Sequence, residues 1–324
     1  MRLVFMGTPD FAVPSLESLL QSEETVVGVV TQPDRPKGRG RSVVASPVKR
    51  LCQRVGLPVL QPLKMKDPAF LEALRNWKPE LIAVAAFGRI LPTMILELPP
   101  QGCVNVHASL LPKYRGAAPI QWALINGEQE TGVTTMLMDA GMDTGPILLQ
   151  ERVAIQPEET AGVLSTRLAV VGGRLLLATI QELNAGTVTP KPQDHTQATL
   201  APLLKKEDGV IDWALGASAI ANRIRGLTPW PGAYTFMGQD RWLIWRALRT
   251  HRSAQGHQPG TIVEVGKEAV LVATGTDLLA VTEVQPANSR RMTVAQYLAG
   301  HPVQVGTVLA SPRSDAVPGA SADG

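Results

Sequence analysis

Along the first half of the chain, short apolar runs with almost no polar alternation (LVFM, TVVGVVT, LIAVAAF and CVNVH) take turns with segments of helical length. A strand with one wet face alternates apolar and polar side chains, whereas a strand covered on both faces does not, so these runs read as parallel strands between helical layers. The spacing predicts helices near Phe11 to Leu20, Pro47 to Val55 and Pro68 to Trp77, with a short strand at PVL between the last two. TGVTTMLM and PILLQERVAI extend the sheet. The long apolar segment from Thr160 to Leu183, followed by Asn184 and Gly186 as stop signals, closes the domain. The expectation is a doubly wound α/β sheet over residues 1–189.

The pattern then changes. Residues 190–208 are rich in Pro, Thr and Gln and lack aromatics, which predicts an extended linker. From residue 209 to about 310, a helical segment at Gly216 to Arg225 precedes five short strands, AYTF, RWLIWRAL, GTIVEV, AVLVATG and LLAVTEV, divided by Gly or polar turns. Such a series suits a small all-β barrel of the oligonucleotide-binding type. MTVAQYLAG reads as a terminal helix, and residues 311–324 as a polar, disordered tail. Trp213, Trp230, Trp242 and Trp245 all fall in this second half, although aromatics make up only 4% of the chain.

Composition narrows the function classes. At 324 residues and 44% hydrophobic, the chain can bury the cores of two domains, and a net charge of +3 is compatible with an anionic partner without requiring one. Cys52 and Cys103 form no CxxC pair, which argues against a disulfide framework or a structural zinc and favours a reducing compartment. The N-terminal apolar run, Leu3 to Met6, is too short for a secretory core or a membrane span, so a cytoplasmic protein is expected. The first strand leads into GTPDF with no GxGxxG, and no GxxxxGK[ST] occurs, which disfavours a dinucleotide site and a phosphate-loop NTPase. His195, His251, His257 and His301 show no ligand spacing, and no metal is expected.

Candidate chemistry gathers where CVNVH ends. In an open α/β sheet ligands bind beyond the carboxyl ends of the strands, and Asn105 and His107, two apart, share one face of a strand. A histidine at such a place is either a satisfied structural residue or a working one; the neighbouring amide and the SLLP loop favour the second. In MDAGMDTGPIL, Asp139 and Asp143 bracket Gly141 and Gly145, either an ordinary solvated turn or a tight loop carrying a carboxylate to a ligand. An amide donor, an imidazole and a carboxylate suit chemistry in which a carbonyl oxygen takes on charge. Cys103 reads as a buried small hydrophobe rather than a nucleophile.

NVHASLLPKYRGAAPIQWALINGE together with MDAGMDTGPIL resembles the core of the 10-formyltetrahydrofolate-dependent formyltransferases, and the similarity runs from GTPDFA to about residue 310. TQPDRPKGRG with SPVK, and LTPWPGAYT, are similar to the tRNA-directed branch of that family. The resemblance implies a Rossmann-like domain followed by an oligonucleotide-binding barrel. It implies transfer of the formyl group of 10-formyltetrahydrofolate to the α-amino group of methionine on initiator methionyl-tRNA; separately, a monomer with no membrane partner is expected. Carried over by position, the resemblance makes Asn105, His107 and Asp143 the catalytic group, with Asn105 and protonated His107 both stabilising the charge on the formyl oxygen and Asp143 keeping His107 charged. Ser109, Leu110, Leu111 and Pro112 would then line the folate site, helped by Phe87 and Ile90. Two rivals stand: the same donor used on a small amine such as a sugar nucleotide or glycinamide ribonucleotide, and a non-catalytic RNA-binding protein on the same fold.

Between Asp34 and Arg54 lie Arg35, Lys37, Arg39, Arg41, Lys49, Arg50 and Arg54 with no further acidic residue, and Pro36, Gly38 and Gly40 make the start of this run a loop. A cationic loop of this kind suits phosphates, and Arg35, Lys37, Arg39 and Arg41 are the expected tRNA contacts, Arg39 singled out by the resemblance. In the second half Lys205, Lys206, Arg223, Arg225, Arg241, Arg246, Arg249 and Arg252 offer more cations. Trp242 and Trp245, three apart on one strand, face opposite sides; either both are core residues or one is an exposed stacker.

Overall fold

The computed structural model describes residues 1–37 and 42–310, and leaves aside the side chains of residues 36, 37, 42 and 43. Arg39, Arg41, the Lys37 side chain and the expected tail at 311–324 therefore lie outside the described residues. Two compact units emerge: Met1–Ile120 with Gln129–Gln156 and Val163–Leu203, and Gln121–Glu128 with Pro157–Gly162 and Leu204–Gly324.

In the first part of the chain β1 (Arg2–Gly7), α1 (Val13–Leu20), β2 (Thr25–Val30), the short β3 (Arg35–Lys37) and β4 (Ser42–Val44), α2 (Pro47–Val55), β5 (Val59–Leu60), α3 (Pro68–Asn76) and β6 (Leu81–Ala85) follow one another. Then come α4 (Thr93–Leu96), β7 (Cys103–His107), α5 (Pro119–Ile125), β8 (Glu130–Leu137), β9 (Ile147–Ala154) and α6 (Ala161–Ala185). Local chemistry sets the helix starts. Ser46 accepts from the Lys49 N–H ahead of Pro47, Asp67 accepts from Ala69 and Phe70 ahead of Pro68, and Gly56 ends α2 at a φ of 74°.

The sheet order is β5-β2-β1-β6-β7-β8-β9. β5 to β7 run parallel, while β8 and β9 are antiparallel, so the sheet is mixed rather than wholly parallel. A short loop joins β8 to β9, and only antiparallel strands can be joined that way. Leu3, Val4, Phe5 and Met6 are fully buried, as the missing alternation requires. Among the described residues α6 is long and apolar enough to cross a membrane, yet half of that window is buried inside the protein. Its Leu164, Leu168, Leu176 and Ile180 form a buried stripe at helical spacing.

Two expectations need correction. The start of the basic run is not simply a loop: Arg35–Lys37 and Ser42–Val44 pair as an antiparallel ribbon. Most of the expected linker belongs to the first unit. Lys191 exchanges both backbone hydrogen bonds with Ile147, the Arg115 N–H donates to the Thr199 carbonyl at 2.8 Å, and the Ala201 N–H donates to the Arg115 carbonyl at 2.7 Å. This strap holds on through backbone groups and a few polar side chains, so it leaves no hydrophobic period to read.

The second unit carries α7 (Ala217–Gly226), β10 (Ala233–Met237), β11 (Asp240–Ser253), β12 (Ile262–Val265), β13 (Val270–Ala273), β14 (Asp277–Pro286), β15 (Met292–Thr293), α8 (Val294–Leu298) and β16 (Leu309–Ala310). Its sheet runs β12-β13-β14-β11-β10-β16. Hydrogen bonds of 2.8 Å from Ile262 N to Thr307 O and from Leu309 N to Gly260 O join the two ends, closing the barrel. Trp242 is buried edge-on against Tyr297, with ring centres 4.7 Å apart.

Candidate active site at the carboxyl end of β7

β7 lies between β6 and β8, its Asn105 paired with Val84 on one side and Met136 on the other. The two-residue repeat of the strand puts Asn105 and His107 on one face at its carboxyl end. Asn105 is half-buried, and among the described residues its side-chain amide makes no hydrogen bond. His107, 6% exposed, is held at both ring nitrogens: Nε2 lies 2.9 Å from the Tyr114 carbonyl, and Nδ1 lies 3.6 Å from Asp143 Oδ2. A carbonyl only accepts, so Nε2 carries the proton of that bond. The approach to Asp143 is an ion-pair distance, longer than a hydrogen bond.

Asp143 reaches this place through a tight loop. Its φ is 54°, a conformation that costs a non-glycine residue about 1–3 kcal/mol unless its surroundings hold it. Gly145 follows, where an added Cβ would stand 1.8 Å from the Leu137 carbonyl oxygen. Asp143 Oδ2 also accepts from the Gly116 N–H at 2.8 Å. Gly116, at a φ of 120°, has no room for a side chain, because a Cβ there would lie 2.7 Å from the Ala201 carbonyl oxygen.

The SLLP loop after β7 is folded by its own polar groups. Ser109 Oγ donates to the Lys113 carbonyl at 2.6 Å, and Thr134 Oγ1 donates to the Ser109 carbonyl at 2.6 Å. The same Thr134 hydroxyl accepts from the Leu111 N–H at 3.1 Å and from Gln150 Nε2 at 2.9 Å. Ser109 and Leu111 are therefore buried in the wall, while Leu110 and Pro112 are half-buried. Phe87 is a core residue at 2% exposure, and Ile90 stands out at 88%. Of the residues expected to enclose a ligand, Leu110 and Pro112 are half-buried and Ile90 is exposed, whereas Ser109, Leu111 and Phe87 are buried. Burial pushes the Cys103 thiol up to about 12, which leaves it inert at the base of the strand. Among the described residues, no group of three His, Cys, Asp or Glu could hold a metal ion.

Several residues of this network escaped the sequence reading. Gln193 Nε2 donates to the carbonyls of Asp143 and Gly145, at 2.9 and 2.7 Å. Its Oε1 accepts from Arg115 Nε and Nη2, at 3.1 and 2.6 Å. Arg115 stands inside the KYRG run, the only signal that could have pointed to it. Gln193 had none, being one polar residue in a segment full of them.

The cationic residues are less free than their number suggests. At the foot of the ribbon Lys49 Nζ bonds Asp34 at 2.5 Å and Gln61 at 2.7 Å, and Arg35 donates to Gln32 at 3.1 Å. The Lys49 and Gln61 hydrogen bonds hold the Asp34 carboxyl below the usual carboxylate range. In the second unit a cleft of about 250 Å³ is lined by Arg225, Trp245, Arg246, Arg249 and Arg291 among others. Arg246 pairs with Glu158, Arg249 with Asp277 and Arg291 with Glu283. Arg225 donates to the Glu159 carbonyl and to Asn222, and burial lowers its pKa. Trp242 is core; Trp245 is half-buried on the opposite side, its Nε1 donating to Gln285.

Comparison with known proteins adds a separate finding. A family model described as formyl transferase matches residues 1–180, and one described as formyl transferase, C-terminal domain, matches residues 203–302. The methionyl-tRNA formyltransferase of Trichlorobacter lovleyi is 51% identical over 311 residues, 95% of this chain and 96% of that protein. That of Moorella thermoacetica is 53% identical over 309 residues, 95% of this chain and 99% of the relative. Among solved structures, an N-formyltransferase from Helicobacter canadensis, in complex with folinic acid and dTDP-3-aminofucose, aligns with a TM-score of 0.66 at 22% identity, over 86% of this chain and 98% of that one. HypX from Aquifex aeolicus in complex with tetrahydrofolic acid aligns with a TM-score of 0.60 at 17% identity, over 95% of this chain and 50% of that one. At those identities the two structures share the fold.

Proposed function

The chain belongs to the formyl transferase family, and on that premise we propose how its residues carry the reaction. It transfers the formyl group of 10-formyltetrahydrofolate to the α-amino group of the methionine on initiator methionyl-tRNA, for the start of translation. Relatives 51% and 53% identical over 95% of the chain bear the name of that reaction, which favours it over a small-amine acceptor or a non-catalytic RNA-binding role.

The observation that carries the catalytic assignment is the unpaired Asn105 amide beside the buried His107–Asp143 pair. We place the donor's reacting end there, where an amide with free N–H groups can meet an oxygen and Leu110, Pro112 and Ile90 offer apolar surface. The amine nitrogen forms a bond to the formyl carbon, and the bond from that carbon to N10 of the folate breaks, its electron pair leaving on N10 with a proton. Between those events the formyl oxygen carries negative charge, and Asn105 donates to it. A donor that is already in place when charge develops lowers the barrier without reorganising.

Where the resemblance implied a protonated His107 donating directly to that oxygen, we assign His107 a role one step removed from it. Its Nε2 proton is engaged by the Tyr114 carbonyl, so Nδ1 is the nitrogen that exchanges a proton, taking it from the amine as the new bond forms and yielding it toward the leaving nitrogen. Asp143, 3.6 Å away, offsets the positive charge that His107 then bears. The amine attacks only when neutral, and α-amino groups titrate at roughly 7.7–8.0, so the rate falls as pH drops below neutrality.

We assign Arg35, Lys37, Arg39 and Arg41 to the phosphates of the tRNA backbone. We place the enzyme in the cytoplasm, acting as a monomer. The direct test incubates purified protein with 10-formyltetrahydrofolate and either charged initiator tRNA or a free amine, with the formylated amino ester as readout. Formylation of the tRNA and not of the free amine is expected; formylation of the small amine alone, or of neither, overturns the reading.

A further inference from the structure

We infer that Gln193, gripped by Arg115, is a positioning residue that holds the Asp143 carboxylate against His107. The inference deepens the reading of Asp143 and His107 as catalytic and rests on it.

Arg115 is 7% exposed and has no carboxylate partner among the described residues. A desolvated charge without a counter-charge is costly, so the groups around it are a guide to its role. Nε and Nη2 both donate to Gln193 Oε1, and Nη2 also meets His195 Nδ1 at 3.1 Å. Guanidinium only donates, so His195 Nδ1 accepts and the His195 proton sits on Nε2.

The same logic fixes the Gln193 amide at both ends. Its oxygen must face Arg115, which only donates, and its nitrogen must face the Asp143 and Gly145 carbonyls, which only accept. Gln193 is itself buried, which shields these bonds from solvent. The amide thus clamps the backbone on either side of Thr144, in the loop where Asp143 holds a φ of 54°. That conformation aims the carboxylate at both His107 Nδ1 and the Gly116 N–H, and the clamp keeps it there. Arg115 adds a second hold at the neighbouring position, since Gly116 follows it in the chain and supplies that N–H.

Gln193→Glu separates positioning from folding. An ionised Glu, favoured by Arg115, keeps the grip on the guanidinium but accepts only, so it repels the two carbonyls that Gln193 now binds. The variant is expected to melt at a lower temperature, because buried acceptors are orphaned, and to stay folded with the KM for 10-formyltetrahydrofolate kept. Measured well below the transition, kcat falls about 10²-fold, the scale of a misplaced catalytic group. In its background Asp143→Asn costs little more, because the carboxylate has already lost its place. Arg115→Lys keeps the charge but replaces a planar two-point grip with one point, and kcat falls by an intermediate factor. If Gln193→Glu is unstable, the double-mutant comparison in the Arg115→Lys background decides in the same way. Wild-type kcat in both Gln193→Glu and Arg115→Lys, or losses that add in full to that of Asp143→Asn, would overturn the positioning role. A wild-type protein that formylates no tRNA would instead sink the reading beneath it, so the two failures are distinguishable.

Discussion

Around β7, His107 and Asp143 are 6% and 15% exposed, and Ser109, Thr134, Arg115 and Gln193 are held by side-chain hydrogen bonds, while among the described residues the Asn105 amide makes none. In the cleft of the second unit, Arg246 and Glu158 are 50% and 57% exposed, and each of Arg246, Arg249 and Arg291 leans on an acidic side chain. Both regions are polar, but water separates them in kind. Where it is excluded, a hydrogen bond fixes a position to a fraction of an ångström and its loss leaves an orphaned group. Where it is present, ion pairs are individually weak and exchange partners easily. The first arrangement suits a reaction that needs one geometry; the second suits a long, uniformly charged ligand that can be held at many points.

The comparison breaks most visibly at Asn105. Asn105→Ala removes the open donor and nothing else, since the amide has no partner to orphan. Loss of one such donor is worth about 2.7–4 kcal/mol, so kcat should fall about 10²- to 10³-fold with KM and melting temperature nearly unchanged. A kcat near wild type would return His107 to the role of direct donor. Thr134→Val acts through stability instead. This fully buried hydroxyl serves Ser109, Leu111 and Gln150 at once, and orphaning such groups costs about 1–3 kcal/mol. Thermal unfolding should show that loss, and activity measured well below the transition should fall only as far as the SLLP loop moves.

How much of this was legible in the sequence follows the same division. The buried strands were, because LVFM and LIAVA have no polar positions to hide. So were the starts of α2 and α3, where Ser46 and Asp67 precede prolines and local capping decides the conformation. Strand periodicity put Asn105 and His107 on one face at the carboxyl end of a strand, and the family resemblance supplied their role. Asp143 was named through its glycine loop and the family resemblance, and its distance to His107 could come only from coordinates. The strap was misread because Gln193 and Arg115 lie 78 residues apart and meet through polar groups that carry no period. Barrel closure was invisible for a like reason: it depends on backbone pairing near residues 260–262 and 307–309. The ion pairs that occupy the arginines also went unseen, so counting cations overstated the free charge.

The exposed regime predicts a different response. Arg246→Ala should change thermal stability by no more than about 0.5–1 kcal/mol, because an exposed pair contributes little. It should weaken initiator tRNA binding at low salt and reduce the slope of log affinity against log salt by about one, if this arginine neutralises a phosphate. An unchanged slope would remove the cleft from the RNA interface and leave docking to the ribbon region.

The smallest effect should come from Asp34, which lies between the two regimes: its side chain is 23% exposed and that of Lys49 21%. Hydrogen bonds from Lys49 and Gln61 favour its ionised form, so its carboxyl sits lower in the folded chain than in the unfolded one. A lowered carboxyl contributes stability that is complete above the unfolded value, about 3.9, and disappears as pH falls through the lower folded value. Thermal melts of the wild-type protein and of Asp34→Asn should therefore differ most at pH 5 and above, and draw together as pH falls toward 2. The variant loses the charged pairing but keeps an amide that still bonds Gln61, so the gap should be small and should narrow with added salt. A gap that persists unchanged at the lowest pH would mean that Asp34 holds the foot of the ribbon through shape and neutral hydrogen bonds, placing it with the buried cluster rather than with the arginine cleft.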